Sequence, residues 1–248
     1  MAPTEGFDTE RHAISVATHL AQRFDAELRL VRVETAPIVL ETLSSPAGLI
    51  AAQEALREGR LARLRKLEAL GTECRALGEI RVITALEDGA VAPTLCDYAG
   101  RFKVDLIVMS SHARGGISRI ALGSVADYLI RRADVPVLIV KPPVTFFGGG
   151  PGETFNRIVV PLDGSALAEQ ILPQVSALAS RLNATVSLLH VLTPLTYSQK
   201  EIMQPGLPWW DTDIAIADEY LTRAASYLTD SGLPVSKDVL LSEDIPSA

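Results

Sequence analysis

Residues 104–125 read VDLIVMSSHARGGISRIALGSV, and this stretch decides the fold class. It begins with an almost wholly apolar run that ends at Met109, which is typical of a strand in a parallel sheet covered on both faces. A glycine-bearing loop follows, and Gly123 and Ser124 open a segment whose apolar residues have helical spacing. A strand, a loop and a helix in this order predict an α/β protein.

Predicted strands and helices alternate through the first 141 residues. Helices are predicted at residues 12–24, 50–77, 90–102 and 124–132, and strands at residues 28–33, 80–85, 104–109 and 135–140. Such alternation implies a doubly wound parallel sheet, whose ligands bind beyond the carboxyl ends of the strands. The turn after Pro3, the strand end at Val33 and the loop after Met109 should therefore lie together.

The second half of the chain repeats the first. AELRLVRV at residues 26–33 resembles ATVSLLHV at residues 184–191, at an offset of 158 residues. The same offset pairs Pro3 with Pro161 and Glu5 with Asp163. A Gly- and Pro-rich stretch separates the copies and reads as a linker. We predict a first domain at residues 1–143, a linker at 144–156 and a second domain at 157–248.

Both copies are expected to be shorter than a full unit. Copy 1 has only residues 1–3 where copy 2 has the strand RIVVP at residues 157–161. LLSED at residues 240–244 matches TALED at residues 84–88 at an offset of 156, which makes Ala248 the counterpart of Ala92. Copy 2 is therefore expected to lack a counterpart of residues 93–141, and with it the glycine-bearing loop.

Composition excludes several classes of protein. The net charge of −7 disfavours a sequence-independent nucleic-acid binder, which needs a basic surface. Cys74 and Cys96 form no CxxC pair, so we expect two reduced thiols and no zinc site. No apolar run approaches the ~18 residues of a membrane span, and the first residues do not resemble a signal peptide. A cytoplasmic location is expected.

The glycine-bearing loop has the features of an anion site. Amide groups at the start of the helix at Ser124, together with the helix dipole, attract a phosphate. Gly115 and Gly123 let the backbone approach it closely, and Arg114 offers a guanidinium to its oxygens. The alternative is a plain helix start, in which Ser124 is the N-cap and Asp127 completes a capping box. The P-loop pattern GxxxxGK[ST] is absent.

Taken together, these motifs resemble the universal stress protein family. The motifs are PLDGS at residues 161–165, AELRLVRV at 26–33, DLIVMSSHARGGISRIALGSVADYLIRR at 105–132 and DVPVLIVK at 134–141. The resemblance implies a Rossmann-like, doubly wound, five-stranded parallel sheet in two tandem copies, with the first strand of copy 1 shortened and copy 2 truncated. It also implies a homodimer formed through the strand at residues 135–141.

In this family the members that bind ATP carry G-x2-G-x9-G-[ST] after the fourth strand, and the resemblance implies ATP, with Mg²⁺ as its companion ion, in domain 1. Ser110 and Ala113 stand at the first two glycines, and Gly123 and Ser124 hold the final pair at the spacing of nine. Glu5 stands where the family has an Asp near the ribose. Val33 stands where a backbone group of family members recognises adenine. The other positions expected at the nucleotide are Pro3, Met109, Arg114, Gly115 and Val125.

The sequence therefore predicts a stress-response module that binds ATP or a related adenine nucleotide. We expect no enzyme beyond slow ATP hydrolysis, because no general base and no acidic metal pair is evident. ATP is not expected in copy 2, where Asp163 and Val191 match the adenine and ribose side but the phosphate loop is missing.

Two alternatives remain open. The first is a dimerisation or interaction module that binds no nucleotide. Ala113 and the shortened turn at Glu5 favour it, because if the family's glycine at the position of Ala113 has a positive φ, alanine there is strained by about 1 kcal/mol or more. The second is a nucleotide-activating ligase of related fold, which the absence of SGGxDS after the first strand disfavours.

Overall fold

The computed structural model describes residues 1–4, 10–35, 46–110, 122–141, 155–192 and 209–241. The chain divides into two compact units, Met1–Phe146 and Phe147–Ala248. The predicted linker lies almost wholly outside the described residues, so the predicted domain bounds stay a prediction. Within the described part, no helix has both the length and the apolar content needed to cross a bilayer.

Unit 1 contains a five-stranded parallel sheet. Its strands are β1 (Ala2–Pro3), β2 (Leu28–Glu34), β3 (Val82–Asp88), β4 (Ile107–Ser110) and β5 (Val137–Val140). β1, β2 and β3 form one ladder, and β4 and β5 form a second. Met1 joins the ladders, because its carbonyl accepts from the Val108 amide at 2.9 Å and its ammonium donates to the Leu106 carbonyl at 2.8 Å. The strand order is therefore 3-2-1-4-5, with a switch point between β1 and β4.

Helices cover both faces of this sheet. They are α1 (Arg11–Phe24), α2 (Pro46–Ala76), α3 (Val91–Arg101) and α4 (Ser124–Arg132). On one face, α3 and α4 pack on a buried cluster that includes Met1, Val31, Ile107 and Met109. Odd-numbered residues of β1, β2 and β4 share this face because side chains alternate along a strand. The doubly wound fold predicted from the sequence is confirmed.

Some element bounds differ from the prediction for visible reasons. β4 begins at Ile107 rather than Val104, because the Val104 amide donates to the Ala99 carbonyl at 2.9 Å and so belongs to the turn that ends α3. α2 begins at Pro46 rather than at residue 50, and proline's fixed φ suits a first helical turn. β3 continues to Asp88, paired residue by residue with β2.

Unit 2 repeats the first part of unit 1. Its elements are β6 (Arg157–Pro161), α5 (Ala166–Glu169), α6 (Leu172–Leu182), β7 (Thr185–Leu192), α7 (Trp209–Thr229) and β8 (Val235–Leu241). The three strands are parallel in the order 6-7-8. Asp25 is the C-cap of α1 with φ 51°, and Asn183 is the C-cap of α6 with φ 53°. These left-handed residues are 158 positions apart, so the helix ends confirm the repeat offset.

The predicted alignment of the last strand is wrong. Asp88 pairs with Glu34, and Leu241 pairs with Leu192. Glu34 and Leu192 differ by 158, whereas Asp88 and Leu241 differ by 153 rather than the predicted 156. The pairing with β7 sets this register, because it decides which side chains face the core. The likeness between LLSED and TALED is therefore three residues out of structural register.

Candidate functional site

The carboxyl edge of the unit 1 sheet brings together most of the predicted site positions that the structure describes. Met1 lies opposite Ile107, because it bonds to the residues on either side of it. Continuing this register places Pro3 beside Met109 and Thr4 beside Ser110, at the switch point. Glu5, Ala113, Arg114 and Gly115 lie outside the described residues.

Val33 presents its backbone at this edge. The Thr4 amide donates to the Val31 carbonyl at 2.8 Å, so alternate residues of β2 direct their amide and carbonyl groups toward β1. Val33 follows the same alternation two residues later, beyond the last paired residue of β1. Its side chain packs against the buried cluster, as does that of Val125, and Met109 belongs to the cluster. The side chains of these three positions are therefore part of the core or packed against it.

Among the described residues, no side chain caps the N-terminus of α4. Gly123 is the N-cap, with φ −62° and ψ 154°, and the first intrahelical bond runs from the Asp127 amide to the Gly123 carbonyl at 2.9 Å. The amides of Ser124, Val125 and Ala126 precede that bond, where helical residues have no intrahelical acceptor. The arrangement is suited to an anion.

The capping-box alternative is wrong. Ser124 is the first helical residue rather than the N-cap, which is Gly123. The Asp127 carboxylate accepts from Arg131 at 3.0 Å instead of returning to the helix start. In unit 2 the contrast is direct, since the Ser165 hydroxyl caps α5 by accepting from the Ala168 amide at 3.1 Å.

Sequence reasoning missed Thr4, which lies in the middle of this edge. Thr4 is 2% exposed and Ser110 is 6% exposed. The Thr4 hydroxyl is shielded from solvent and has no hydrogen-bond partner among the described residues. Such a group costs about 1–3 kcal/mol, so it calls for a partner. A polar residue at the core-facing end of a strand is the sequence signal that could have found it.

A charged network fixes the neighbouring strand ends. The Glu34 side chain is only 14% exposed and contacts Arg63, and lies 3.7 Å from Arg32 and 3.9 Å from Arg60. Arg60 also donates to Asp88 at 2.5 Å. We call these five side chains the Glu34 network. Because Arg60 and Arg63 come from α2, the network ties that helix to the ends of β2 and β3, next to Val33.

The described residues contain no metal centre, since no three His, Cys, Asp or Glu side chains are arranged to hold an ion. Cys74 and Cys96 are free thiols. Burial raises the pKa of both thiols, and a nearby Asp97 adds to the rise at Cys96. Protonated thiols are poor nucleophiles and poor metal ligands, so neither cysteine suits covalent or metal chemistry.

Comparison with known proteins identifies the family. The sequence profile of the universal stress protein family matches residues 1–141 and 154–208. The chain belongs to the universal stress protein family.

Curated universal stress proteins resemble one unit of the chain. A universal stress protein of Methanocaldococcus jannaschii is 34% identical over 142 residues, which cover 57% of this chain and 80% of that protein. One from Thermus aquaticus is 32% identical over 138 residues, covering 55% and 93% respectively. A solved universal stress protein of Archaeoglobus fulgidus aligns with 97% of this chain and 78% of its own, with a TM-score of 0.58 and 18% identity. That likeness extends the shared fold over both units.

Proposed function

We propose that this universal stress protein binds an adenine nucleotide, principally ATP, at the carboxyl edge of the unit 1 sheet. The N-terminus of α4, which no side chain of the described residues caps, carries the proposal. Three consecutive amides, from Ser124 to Ala126, stand ahead of the first intrahelical donor, and the helix dipole adds a partial positive charge there. Together they favour a phosphate group over a neutral ligand.

The neighbouring backbone supports an adenine base at the same edge. Val33 directs its amide and carbonyl toward the β1 side, beyond the paired part of β1, which gives one donor and one acceptor for the edge of a purine. The switch point between β1 and β4 then lies between the base and the phosphates. Two buried polar residues lie at these strand ends, Thr4 directly after β1 and Ser110 as the last residue of β4.

Positions outside the described residues complete the proposed site. Glu5 is assigned to the ribose hydroxyls, and Arg114, with the backbone at Ala113 and Gly115, to the phosphates. ATP brings Mg²⁺ with it, and the Ser124 hydroxyl, at the first residue of α4, is assigned to the ion or to a phosphate oxygen. We propose binding with slow turnover at most, and a cytoplasmic location, where ATP is available.

The test compares two serines at helix starts. Wild-type protein, Ser124→Ala and Ser165→Ala are titrated calorimetrically with Mg²⁺–ATP, Mg²⁺–GTP and cAMP. Ser124→Ala should weaken ATP binding about five- to tenfold with little change in stability, because Gly123, and not Ser124, is the N-cap. Ser165→Ala should leave ATP affinity unchanged and destabilise unit 2 by about 1 kcal/mol, because its hydroxyl caps α5.

The outcomes separate the candidate functions. GTP binding as tightly as ATP would contradict recognition of adenine at Val33. If no nucleotide gives binding heat at near-millimolar concentration, the proposal is overturned. The remaining candidate is then the interaction module that binds no nucleotide.

A second proposal concerns assembly. Among the described residues β5 pairs only with β4, and its apolar run VLIV lies at the sheet edge. The Ile107 amide donates to the Pro136 carbonyl at 3.0 Å, so the backbone groups of even-numbered residues in this segment point toward β4. The backbone groups of Val137 and Ile139 therefore point away from β4, toward the open edge. An open apolar edge favours pairing with another strand. We propose a homodimer through residues 135–141.

Light scattering with size-exclusion chromatography tests the dimer. Val137→Pro removes an outward-facing amide at the first residue of β5 and should give a monomer of unchanged fold. A monomeric wild-type protein at tens of micromolar would refute this assembly.

A further inference from the structure

The Glu34 network lies directly beside the residue that the proposed nucleotide site uses for the base. Val33 and Glu34 are the last two residues of β2, and both pair with β3. On the other side of the strand, β1 pairs with β2 only as far as Val31, and the Thr4 amide bonds to the Val31 carbonyl at 2.8 Å. Among the described residues, a neighbouring strand therefore holds the end of β2 on one side only.

The side chain of Glu34 supplies a second anchor for this strand end. Its carboxylate contacts Arg63 and lies 3.9 Å from Arg60, and both of these arginines belong to α2. Arg32 approaches the same carboxylate to 3.7 Å. The Glu34 carbonyl also accepts from the Gly89 amide at 2.9 Å, just beyond β3. Glu34 is thus fixed by its backbone against β3 and by its side chain against α2.

The peptide unit between Val33 and Glu34 links this anchor to the proposed base site. A peptide unit is planar and trans, so its carbonyl oxygen and its N–H point in opposite directions. The carbonyl belongs to Val33 and points toward the β1 side, whereas the N–H belongs to Glu34 and points toward β3. Holding Glu34 against β3 and α2 therefore fixes the direction of the Val33 carbonyl.

The charge of the network predicts the opposite effect from this positioning. Three guanidinium groups and two carboxylates make up the network, which leaves one positive charge in excess. Removing the charge of Glu34 would leave two, and an anionic nucleotide nearby would be attracted more strongly. Lost positioning of Val33 would instead weaken binding. The sign of the change in affinity therefore distinguishes the two effects.

We propose that Glu34 positions the backbone of Val33 for recognition of the adenine base and so sets the base specificity of the nucleotide site. This inference rests on the proposed function of unit 1, and Glu34 acts through Val33 without touching the ligand. Arg63 holds the carboxylate from α2, and Arg60 joins it to Asp88 at the end of β3. Loosening the network lets the Val33 carbonyl turn away from the base, while the amides at the start of α4 keep their hold on the phosphates.

Calorimetry with four ligands separates the base from the phosphates. Wild-type protein and its variants are titrated with Mg²⁺–ATP, adenosine, Mg²⁺–GTP and Mg²⁺–tripolyphosphate at constant ionic strength. Glu34→Gln should weaken the binding of ATP and of adenosine about five- to tenfold, and it should reduce the preference for ATP over GTP by a similar factor. Tripolyphosphate, which has no base, should bind as it does to wild-type protein or slightly more tightly.

The control variants change charge without the same effect on Val33. Glu27, directly before β2, lies 2.6 Å from Arg29 and 3.0 Å from Arg81, so Glu27→Gln removes a shared carboxylate at the opposite end of the strand and should leave all four affinities unchanged. Arg63→Gln alters the charge in the opposite direction from Glu34→Gln and should still weaken ATP and adenosine binding. Arg63→Lys keeps the ion pair and should recover most of that loss. Circular dichroism checks that each variant is folded during the titration.

Three results would overturn this inference and leave the nucleotide function in place. The first is an unchanged ATP affinity with an unchanged preference over GTP in Glu34→Gln. The second is an equal loss of ATP and tripolyphosphate binding, which would show that the network only maintains the fold of unit 1. The third is the same loss in Glu27→Gln. If wild-type protein binds none of the four ligands, the proposed function fails and this inference fails with it.

Discussion

Replacing Gly123 by aspartate should stabilise unit 1 and abolish nucleotide binding. Gly123 has φ −62° and ψ 154°, a conformation that every L-residue adopts, so the substitution introduces no backbone strain. Because no side chain in the described part of the chain caps α4, the new carboxylate is free to accept from the amide of Val125 or Ala126. The amides that stabilise the helix in the variant are the ones assigned to the phosphate.

The magnitudes follow from this geometry. Exchanging glycine for aspartate at an N-cap gains a few tenths of a kcal/mol, and the charge at the helix dipole adds about 0.3–1 kcal/mol. The melting temperature of unit 1 should rise by about 1–4 °C. For ATP, each lost hydrogen bond to a charged group costs about 1.5–3 kcal/mol, and a carboxylate ~4 Å from a phosphate adds about 4 kcal/mol of repulsion. Even half of that total weakens ATP binding more than about 100-fold.

Urea unfolding without ligand and calorimetry with Mg²⁺–ATP measure the two effects. Gly123→Asn is the matched control, since its amide oxygen caps the helix without adding charge and should cost only about tenfold in affinity. If wild-type protein binds ATP and Gly123→Asp binds it equally well, the amides of α4 do not hold the phosphate. A loss of stability in Gly123→Asp would instead show that the helix start is already capped.

Three further predictions concern stability. Gly100→Ala should add about 0.5–1 kcal/mol to the free energy of unfolding, because the new Cβ meets nothing within 4 Å. Gly71→Ala should add nothing, because its Cβ would lie 2.9 Å from a Thr84 methyl group; urea unfolding that ranks the two variants the other way would refute this. Glu34→Gln should lower the free energy of unfolding by about 1–3 kcal/mol, because it leaves the guanidinium groups of the Glu34 network without their shared carboxylate. Glu87→Gln, at the exposed pair with Arg101, should lower it by less than about 0.5 kcal/mol, and equal losses would contradict the network. Burial lowers the pKa of the Met1 ammonium from 8.0 to about 6, so between these pH values the unfolded chain binds more protons than the folded one. The free energy of unfolding should therefore rise with pH there, by up to about 2.7 kcal/mol. N-terminal acetylation should make the pH profile flat, and a flat profile without acetylation would refute the assignment.

The sequence predicted the bounds of an element best where residues at both of its ends mark a boundary. α4 and β6 have the predicted bounds, because Gly123 precedes the first and turn residues flank the second. β4 was predicted three residues too long, since nothing in an apolar run reveals that Val104 bonds back to Ala99. The last strand was aligned three residues out of register, because similar letters do not report which residues pair.

The candidate site, too, was predicted only in part. Gly123 and Ser124 were predicted from a local spacing, and the helix does begin there. The absence of a cap was not predictable, because Ser124 followed by Asp127 also fits a capping box. The partner that Asp127 takes, Arg131, decided between the two readings.

The sequence by itself determined the duplication, the alternation of strands and helices and the position of the glycine-bearing loop, because repeats, periodicity and glycine spacing are properties of neighbouring residues. Tertiary structure alone decided that Met1 joins two ladders into one sheet, that the Thr4 amide bonds to Val31, and that Tyr220 meets His190. These contacts join residues that are distant along the chain. They depend on register and on which face a side chain takes, and no short-range pattern records either.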